Sequence, residues 1–245
     1  MSATPGEPAP GRLCSLAASA WTFRCRVELE AEARFERLAG RMERLGDPAE
    51  LVALARRASA DERRHAVLCA GQAALLGETA ALAPVSDLPE IAAALPLRER
   101  VLYEVVAACC ISETESMGVL TTLLDAARAP GLRRTLHELA SDEVRHARLG
   151  WAYLARAHAA GGVAFLGPLV PAMLGGSVAP DLFAPAGGDR EDDALLDLGV
   201  LPHHLQREVF ERTLDDVILP GLERLGVDTT PARRWLAGRR AGALA

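Results

Sequence analysis

Apolar positions recur every three or four residues through most of the chain. From about Ala17 to Leu45, Trp21, Cys25, Phe35, Ala39 and Met42 share one stripe, the spacing of a helix with one buried face. Gly46-Asp47-Pro48 stops that helix and opens a second, from about Pro48 to Leu76, which Gly77 ends. A third pattern runs from about Leu97 to Arg128 with Leu102, Val106, Cys109, Met117, Leu120 and Leu124 on its stripe. A fourth runs from about Leu132 to Ala159 and ends at Gly161-Gly162. No segment shows the strict alternation of a strand. Residues 78–95, with Pro84 and Pro89, form a connection long enough to cross from one end of a bundle to the other. Two helices, a crossover and two more helices predict an all-α fold built on a four-helix bundle with one long crossover.

The flanks read differently. Residues 1–12 are rich in Pro, Gly and Ala, which predicts disorder, so the bundle is expected over residues 13–161. Residues 162–245 are expected to form a C-terminal loop and helical appendage. Its expected parts are an apolar run from Val163 to Leu174, a surface loop from Asp181 to Asp193, a helix from Pro202 to Val217 closed by Pro220-Gly221, and a short helix from Pro231 to Arg240.

One turn is written twice. Ala60 to Leu68 reads ADERRHAVL and Ser141 to Leu149 reads SDEVRHARL, so Asp, Glu, Arg, His, Ala and Leu recur in register. Both contain Glu-x-x-His, Glu62 with His65 and Glu143 with His146, and on a helix positions i and i+3 share a face. One such pair is an ordinary surface feature. Two, in the second member of each helix pair, match a di-metal carboxylate bundle, which also takes one Glu from each of the other two helices. The third helix supplies Glu113, four residues after Cys109 on an apolar stripe, where a carboxylate is costly to bury unless paired or metal-bound. Glu115 and Glu104 are weaker alternatives. The first helix offers Glu28 or Glu32, and spacing alone leaves both open.

Composition narrows the rest. The net charge is −6, every basic residue is Arg, and the arginines are scattered beside acids, so there is no footprint for nucleic acid. The five cysteines, Cys14, Cys25, Cys69, Cys109 and Cys110, form no CxxC and read as free thiols in a reducing compartment. MSATPGEPAPGR lacks the pattern of a signal peptide, and the longest apolar stretch is too short for a bilayer and is broken by Pro168 and Pro171. The expectation is a cytoplasmic protein without membrane or nucleic-acid partners.

These residues carry a resemblance to the ferritin-like superfamily, which includes rubrerythrins, ribonucleotide reductase small subunits and bacterial multicomponent monooxygenases. The sequence most resembles bacterial ferritin-like domain-containing proteins. In those a first-helix Glu precedes a Phe by seven residues, as Glu28 precedes Phe35, and the third helix has a small residue before Glu-Thr, as in Ser112-Glu113-Thr114. The two D-E-x-R-H turns match as well. The resemblance covers about residues 20–160 and, less specifically, Gly199 to Gly221. It selects Glu28 over Glu32 and implies two iron ions, or an iron–manganese pair, held by Glu28, Glu62, His65, Glu113, Glu143 and His146. It implies no particular substrate.

Carboxylates with two imidazoles suit iron or manganese better than a thiolate-seeking metal. HExxH zinc chemistry is disfavoured because Asp61 and Asp142 stand where its first His belongs. A metal-bound imidazole commonly donates its other N–H to a carboxylate, which predicts that Asp142 orients His65 and Asp61 orients His146 across the bundle. Arg64 and Arg145 are expected beside these carboxylates or on the surface, and Cys109 and Met117 beside the cavity. The leading expectation is a non-haem di-metal oxidoreductase activating dioxygen or peroxide, with a small-molecule substrate, an electron donor and a homodimer among the partners admitted. The alternatives are an iron-handling or peroxide-scavenging protein without organic substrate and a non-enzymatic helical interaction protein.

Overall fold

The computed structural model describes residues 10–179, 182–183 and 190–242. Among them all regular structure is helical. The first helix, α1 (Pro10–Arg44), starts well ahead of Ala17, so Pro10–Arg12 are helical where composition predicts disorder; residues 1–9 lie outside the described residues. Proline suits a helix's first turn, because its fixed φ is already helical and the N–H it lacks would have no partner there. α2 spans Ala49–Leu75 and α5 spans Pro130–Ala159. The remaining bundle helix is interrupted: α3 (Leu97–Val105) passes through a π-helical segment, Val106–Ser112, into α4 (Glu113–Ala126).

The core consists of two apolar clusters. One gathers Phe35, Met42, Val52, Ala55, the α3 and π-segment residues from Val101 to Ile111, Leu149 and Leu154. The other gathers Trp21, Cys25, Leu29, Ala66, Cys69, Leu120, Leu123, Leu132 and Leu136. Each of the four bundle helices, counting α3, the π segment and α4 as one, contributes to both, in opposite order in α1 and α2 and in the α3–α4 helix and α5. The bundle therefore runs up, down, down, up, with the crossover of residues 76–96 joining the two parallel helices. That crossover lies along α1, where Arg37 Nη1 donates to the carbonyls of Leu88 and Pro89, 3.3 Å each.

The π segment has a packing partner. A Cβ at Gly150 would lie 2.5 Å from Cys109 Cβ and 2.9 Å from both the carbonyl carbon of Cys109 and the amide nitrogen of Cys110, so only glycine lets α5 approach so closely. The widened turn also changes the phase of the third bundle helix. Beyond it the buried positions are Glu113, Thr114, Leu120, Leu123 and Ala127, whereas Leu124 and Met117 are only half-buried. The straight stripe through Met117 and Leu124 is thus corrected.

The C-terminal part is more helical than its composition indicates. A 3-10 turn (Ala164–Leu169) leads into α6 (Val170–Ser177), and a second 3-10 segment covers Arg190–Leu198. The expected surface loop from Asp181 to Asp193 is corrected on both sides of residues 184–189, which lie outside the described residues along with Asp181. Leu182 and Phe183 are buried, Phe183 meeting Phe210 and Trp235 edge-on at 5.9 Å, and the 3-10 helix occupies the end of the stretch. α7 (His203–Thr213) does not close at Pro220-Gly221. It passes through a π-helical Leu214–Ile218 into α8 (Leu219–Arg224), and the widened turn sits where Pro220 would otherwise break the hydrogen-bond ladder. α9 spans Thr230–Gly242.

Candidate metal centre

On every bundle helix a polar interval separates the two apolar clusters, and the intervals share one level. It holds Glu28 from α1, Asp61, Glu62 and His65 from α2, Glu113 from α4, and Asp142, Glu143 and His146 from α5, all buried. Glu62 and His65, and Glu143 and His146, point inward together because they sit one helical turn apart. Glu113 reaches the same level as the first residue after the π segment.

Ligand-capable atoms of Glu28, Glu62, His65 and Glu143 lie within 4.8 Å of one another, and so do those of Glu62, Glu113, Glu143 and His146. The two groups overlap in Glu62 and Glu143 and each has its own histidine and its own single glutamate. His65 Nδ1 is 3.2 Å from Glu62 Oε2 and 3.8 Å from both Glu28 Oε2 and Glu143 Oε1. His146 Nδ1 is 3.0 Å from both Glu62 Oε1 and Glu143 Oε2 and 4.0 Å from Glu113 Oε2. The ring centroids are 6.0 Å apart.

The other imidazole nitrogens face outward. His65 Nε2 is 3.1 Å from Asp142 Oδ2, and His146 Nε2 is 3.4 Å from Asp61 Oδ2. An ionised carboxylate only accepts, so Nε2 carries a hydrogen, and Nδ1 is the nitrogen that would offer a lone pair to a cation in exchange for its own proton. Arg64 bonds Asp61 of its own helix at 2.9 Å and also Asp142, while Arg145 bonds Asp142 of its own helix and reaches Asp61 at 3.4 Å. This crossed lattice neutralises the two aspartates, and no arginine of the lattice is left to compensate the four glutamates.

The energetics of that charge are visible residue by residue. Burial raises the Glu62 carboxyl, the Glu143 charge raises it further, and hydrogen bonds with both histidines only partly oppose this, leaving it at about 7. Glu113 is pushed well above the carboxylate range by burial and by Glu143 and Glu62. Burial also acts on Glu28, but the hydrogen bond with His65 and the charge of Arg24 outweigh it and bring it to about 2. Burial lowers the histidines, yet their carboxylate partners raise His65 to about 10 and His146 to about 9. Without cations in the middle, the site would hold protons in their place. Glu62 Oε1 is also buried without a well-aligned donor. A donor set of four carboxylates and two imidazoles around such an atom fits two divalent ions.

Glu32 is outside this layer. It is half-buried and pairs with Arg63 at 3.5 Å, whereas Glu28 faces the cluster. Glu115 instead accepts from Ser177 of α6 at 3.2 Å, and Glu104 is buried against Arg41. Two further neighbours of the cluster belong to no sequence motif. Arg24 Nε is 3.2 Å from Glu28 Oε1, and Ser116 Oγ donates to Glu143 Oε1 at 3.4 Å. The i,i+4 spacing of Arg24 and Glu28 is the only sequence signal for either. Tyr153 has a structural contact: its hydroxyl donates to Asp47 at 2.7 Å, tying α5 to the turn between α1 and α2.

An all-α, ferritin-like four-helix bundle with a doubled Glu-x-x-His at its centre defines the class, a helical bundle with the residues for a di-metal site. The sequence matches no protein-family model and no curated protein. Among solved structures it is similar to a protein from Synechococcus described as "Protein 19 with aldehyde deformylating oxidase activity", with a TM-score of 0.54 and 19% identity over 92% of this chain and 98% of that one. The likeness concerns the fold, and its coverage extends past the bundle into the C-terminal helices. Among the described residues no helix is long and apolar enough to cross a membrane.

Proposed function

We propose that this protein is a non-haem di-metal oxidoreductase that activates dioxygen or peroxide. Glu28, Glu62, His65, Glu113, Glu143 and His146 would hold two iron ions or an iron–manganese pair. The observation that carries this reading is the overlap of two four-residue groups in Glu62 and Glu143, so that these two carboxylates would serve both ions while each ion would have its own histidine and glutamate. When bound, such a pair supplies paired one-electron redox chemistry and open coordination positions for an oxygen species.

The protein's own contribution is positional. Asp142 and Asp61 hold the Nε2 hydrogens and so aim both Nδ1 atoms inward. The hydrogen bond with His65 and the charge of Arg24 keep the Glu28 carboxylate ionised, and Arg24 holds it in place. The apolar clusters above and below exclude water, which strengthens every charge interaction at the layer. The aldehyde-deformylating oxidase activity of the Synechococcus neighbour is compatible with this reading. Anaerobic loading with ferrous iron, followed by metal quantitation and by absorption spectroscopy on exposure to oxygen, tests it. Two ions per wild-type molecule and loss of stoichiometric binding in His65→Ala and Glu143→Ala are expected. Two ions in those variants, or none in the wild type, would refute the assignment.

A further inference from the structure

A cavity of about 180 Å³ lies beside the cluster, between α1, the α3–π segment and α6. None of the six cluster residues lines it, but two of its lining residues touch their surroundings. The Phe35 ring sits 5.3 Å from the His146 ring, and Ser112 directly precedes Glu113. The cavity is therefore one aromatic ring and one peptide away from the centre. Most of its wall is apolar, with Leu38, Ile91, Ala107, Ala108 and Met173.

Two cations also line it. Arg34 is half-exposed and pairs with Glu30 at 3.6 Å, which places it at the mouth. Arg37 is built in more firmly, since its Nη1 is fixed by the Leu88 and Pro89 carbonyls. The acid facing it, Glu104, stands 3.8 Å from Arg37 Nη2 and is bonded more closely by Arg41, which also takes Glu90. Arg37 Nε is buried and has no hydrogen-bond partner. Among the described residues the accessible part of this guanidinium has no acid closer than Glu104 at 3.8 Å, and a carboxylate is the acceptor a guanidinium pairs with best. Tyr103 lines the same cavity, and burial raises its phenol, which keeps it a hydrogen-bond donor.

The size is equally selective. Sites for drug-sized ligands occupy roughly 300–1,000 Å³, so a nucleotide or flavin does not fit. An apolar cavity of roughly 150 Å³ is known to take up benzene, so the space here suits a body of about six to eight carbons. We propose that this cavity binds an apolar monocarboxylate of that size, its carboxylate on Arg37 and Tyr103 and its tail against Phe35, as the substrate of the adjoining centre. Its role as substrate rests on the di-metal reading; its binding does not.

Calorimetric titration of the full-length protein, both metal-free and iron-loaded under anaerobic conditions, with octanoate, octanamide and octylamine tests this. Octanoate is expected to bind saturably to both forms, octanamide about tenfold more weakly or worse, and octylamine not measurably. Arg37→Leu is expected to weaken octanoate by at least about tenfold while leaving octanamide unchanged. Ala108→Leu, which fills the cavity without altering its charge, should abolish binding of both. Arg37 also holds the crossover, so the wild-type preference for octanoate over octylamine decides the matter if the Arg37 variant does not fold. No octanoate binding by the wild type, equal binding of octylamine, or a folded Arg37→Leu protein with unchanged octanoate affinity overturns the proposal. Metal quantitation on the same samples separates the two readings. Two ions with no octanoate binding sinks only the pocket assignment, and octanoate binding without metal sinks only the di-metal assignment.

Discussion

His65 Nε2 lies 3.1 Å from Asp142 Oδ2, a contact between residues 77 positions apart that binds α2 to α5 through the centre of the bundle. The reciprocal contact joins His146 to Asp61, and Arg64 and Arg145 bond both aspartates. Replacing Asp142 by Asn keeps the shape but removes the charge that holds the imidazole tautomer. Metal affinity is expected to fall about 10- to 100-fold with the helical content unchanged, as read by competitive metal titration and circular dichroism. Unchanged affinity in both Asp142→Asn and Asp61→Asn would show that the lattice is merely structural.

Removing metal should leave a pH signature. His65 and His146 are raised from 6.5 to about 10 and about 9 in the folded protein. Their protonation therefore stabilises the metal-free fold fully below about pH 6.5, and that stability is lost as pH rises through 9 to 10. Glu62, raised to about 7, acts in the same direction over the range above its ordinary value. Calorimetry of chelated protein should show a melting temperature that falls from pH 6 to pH 10. Metal-loaded protein, whose ligands have already lost those protons, should show a much flatter profile.

The Gly150 contact predicts a steep packing cost. Gly150→Ala sets a methyl against the backbone of Cys109 and Cys110, and overpacking of this kind costs about 1–3 kcal/mol. Gly71→Ala is the control. Gly71 is on α2, exposed, with nothing within 4 Å of an added Cβ, so it should stabilise by about 0.4–1 kcal/mol. Urea denaturation of both variants checks the opposite signs.

Arg41 and Glu104 form a buried pair between α1 and α3, with Arg41 only 3% exposed. Arg41→Met leaves Glu104 buried with Arg37 alone at 3.8 Å and should cost about 3 kcal/mol, roughly 6–12 °C in melting temperature. The double variant Arg41→Met/Glu104→Leu should recover most of that loss. Additive effects of the two substitutions would show that the pair is not coupled.

The repeated turn makes much of the centre legible from sequence, because helical periodicity alone puts Glu62 with His65 and Glu143 with His146. Helix boundaries follow from Gly46, Gly77, Pro130 and Gly161, whose backbone preferences act locally. What stays hidden depends on partners distant in sequence. Arg41 looks like a surface cation until Glu104 is placed against it, and Phe183 looks like part of a loop until Phe210 and Trp235 enclose it. The π segment has no compositional mark at all, since Val106–Ser112 would serve equally well in an α-helix.

That segment makes the site depend on how the chain winds as well as on which residues it carries. Residues in an α-helix advance by about 100° each and those in a π-helix by less, so winding the same seven residues, Val106 to Ser112, as a regular α-helix would swing Glu113 about a quarter-turn or more away from Glu143. A sequence that kept all six residue types but wound this segment as a regular helix would fail to assemble them around a common centre.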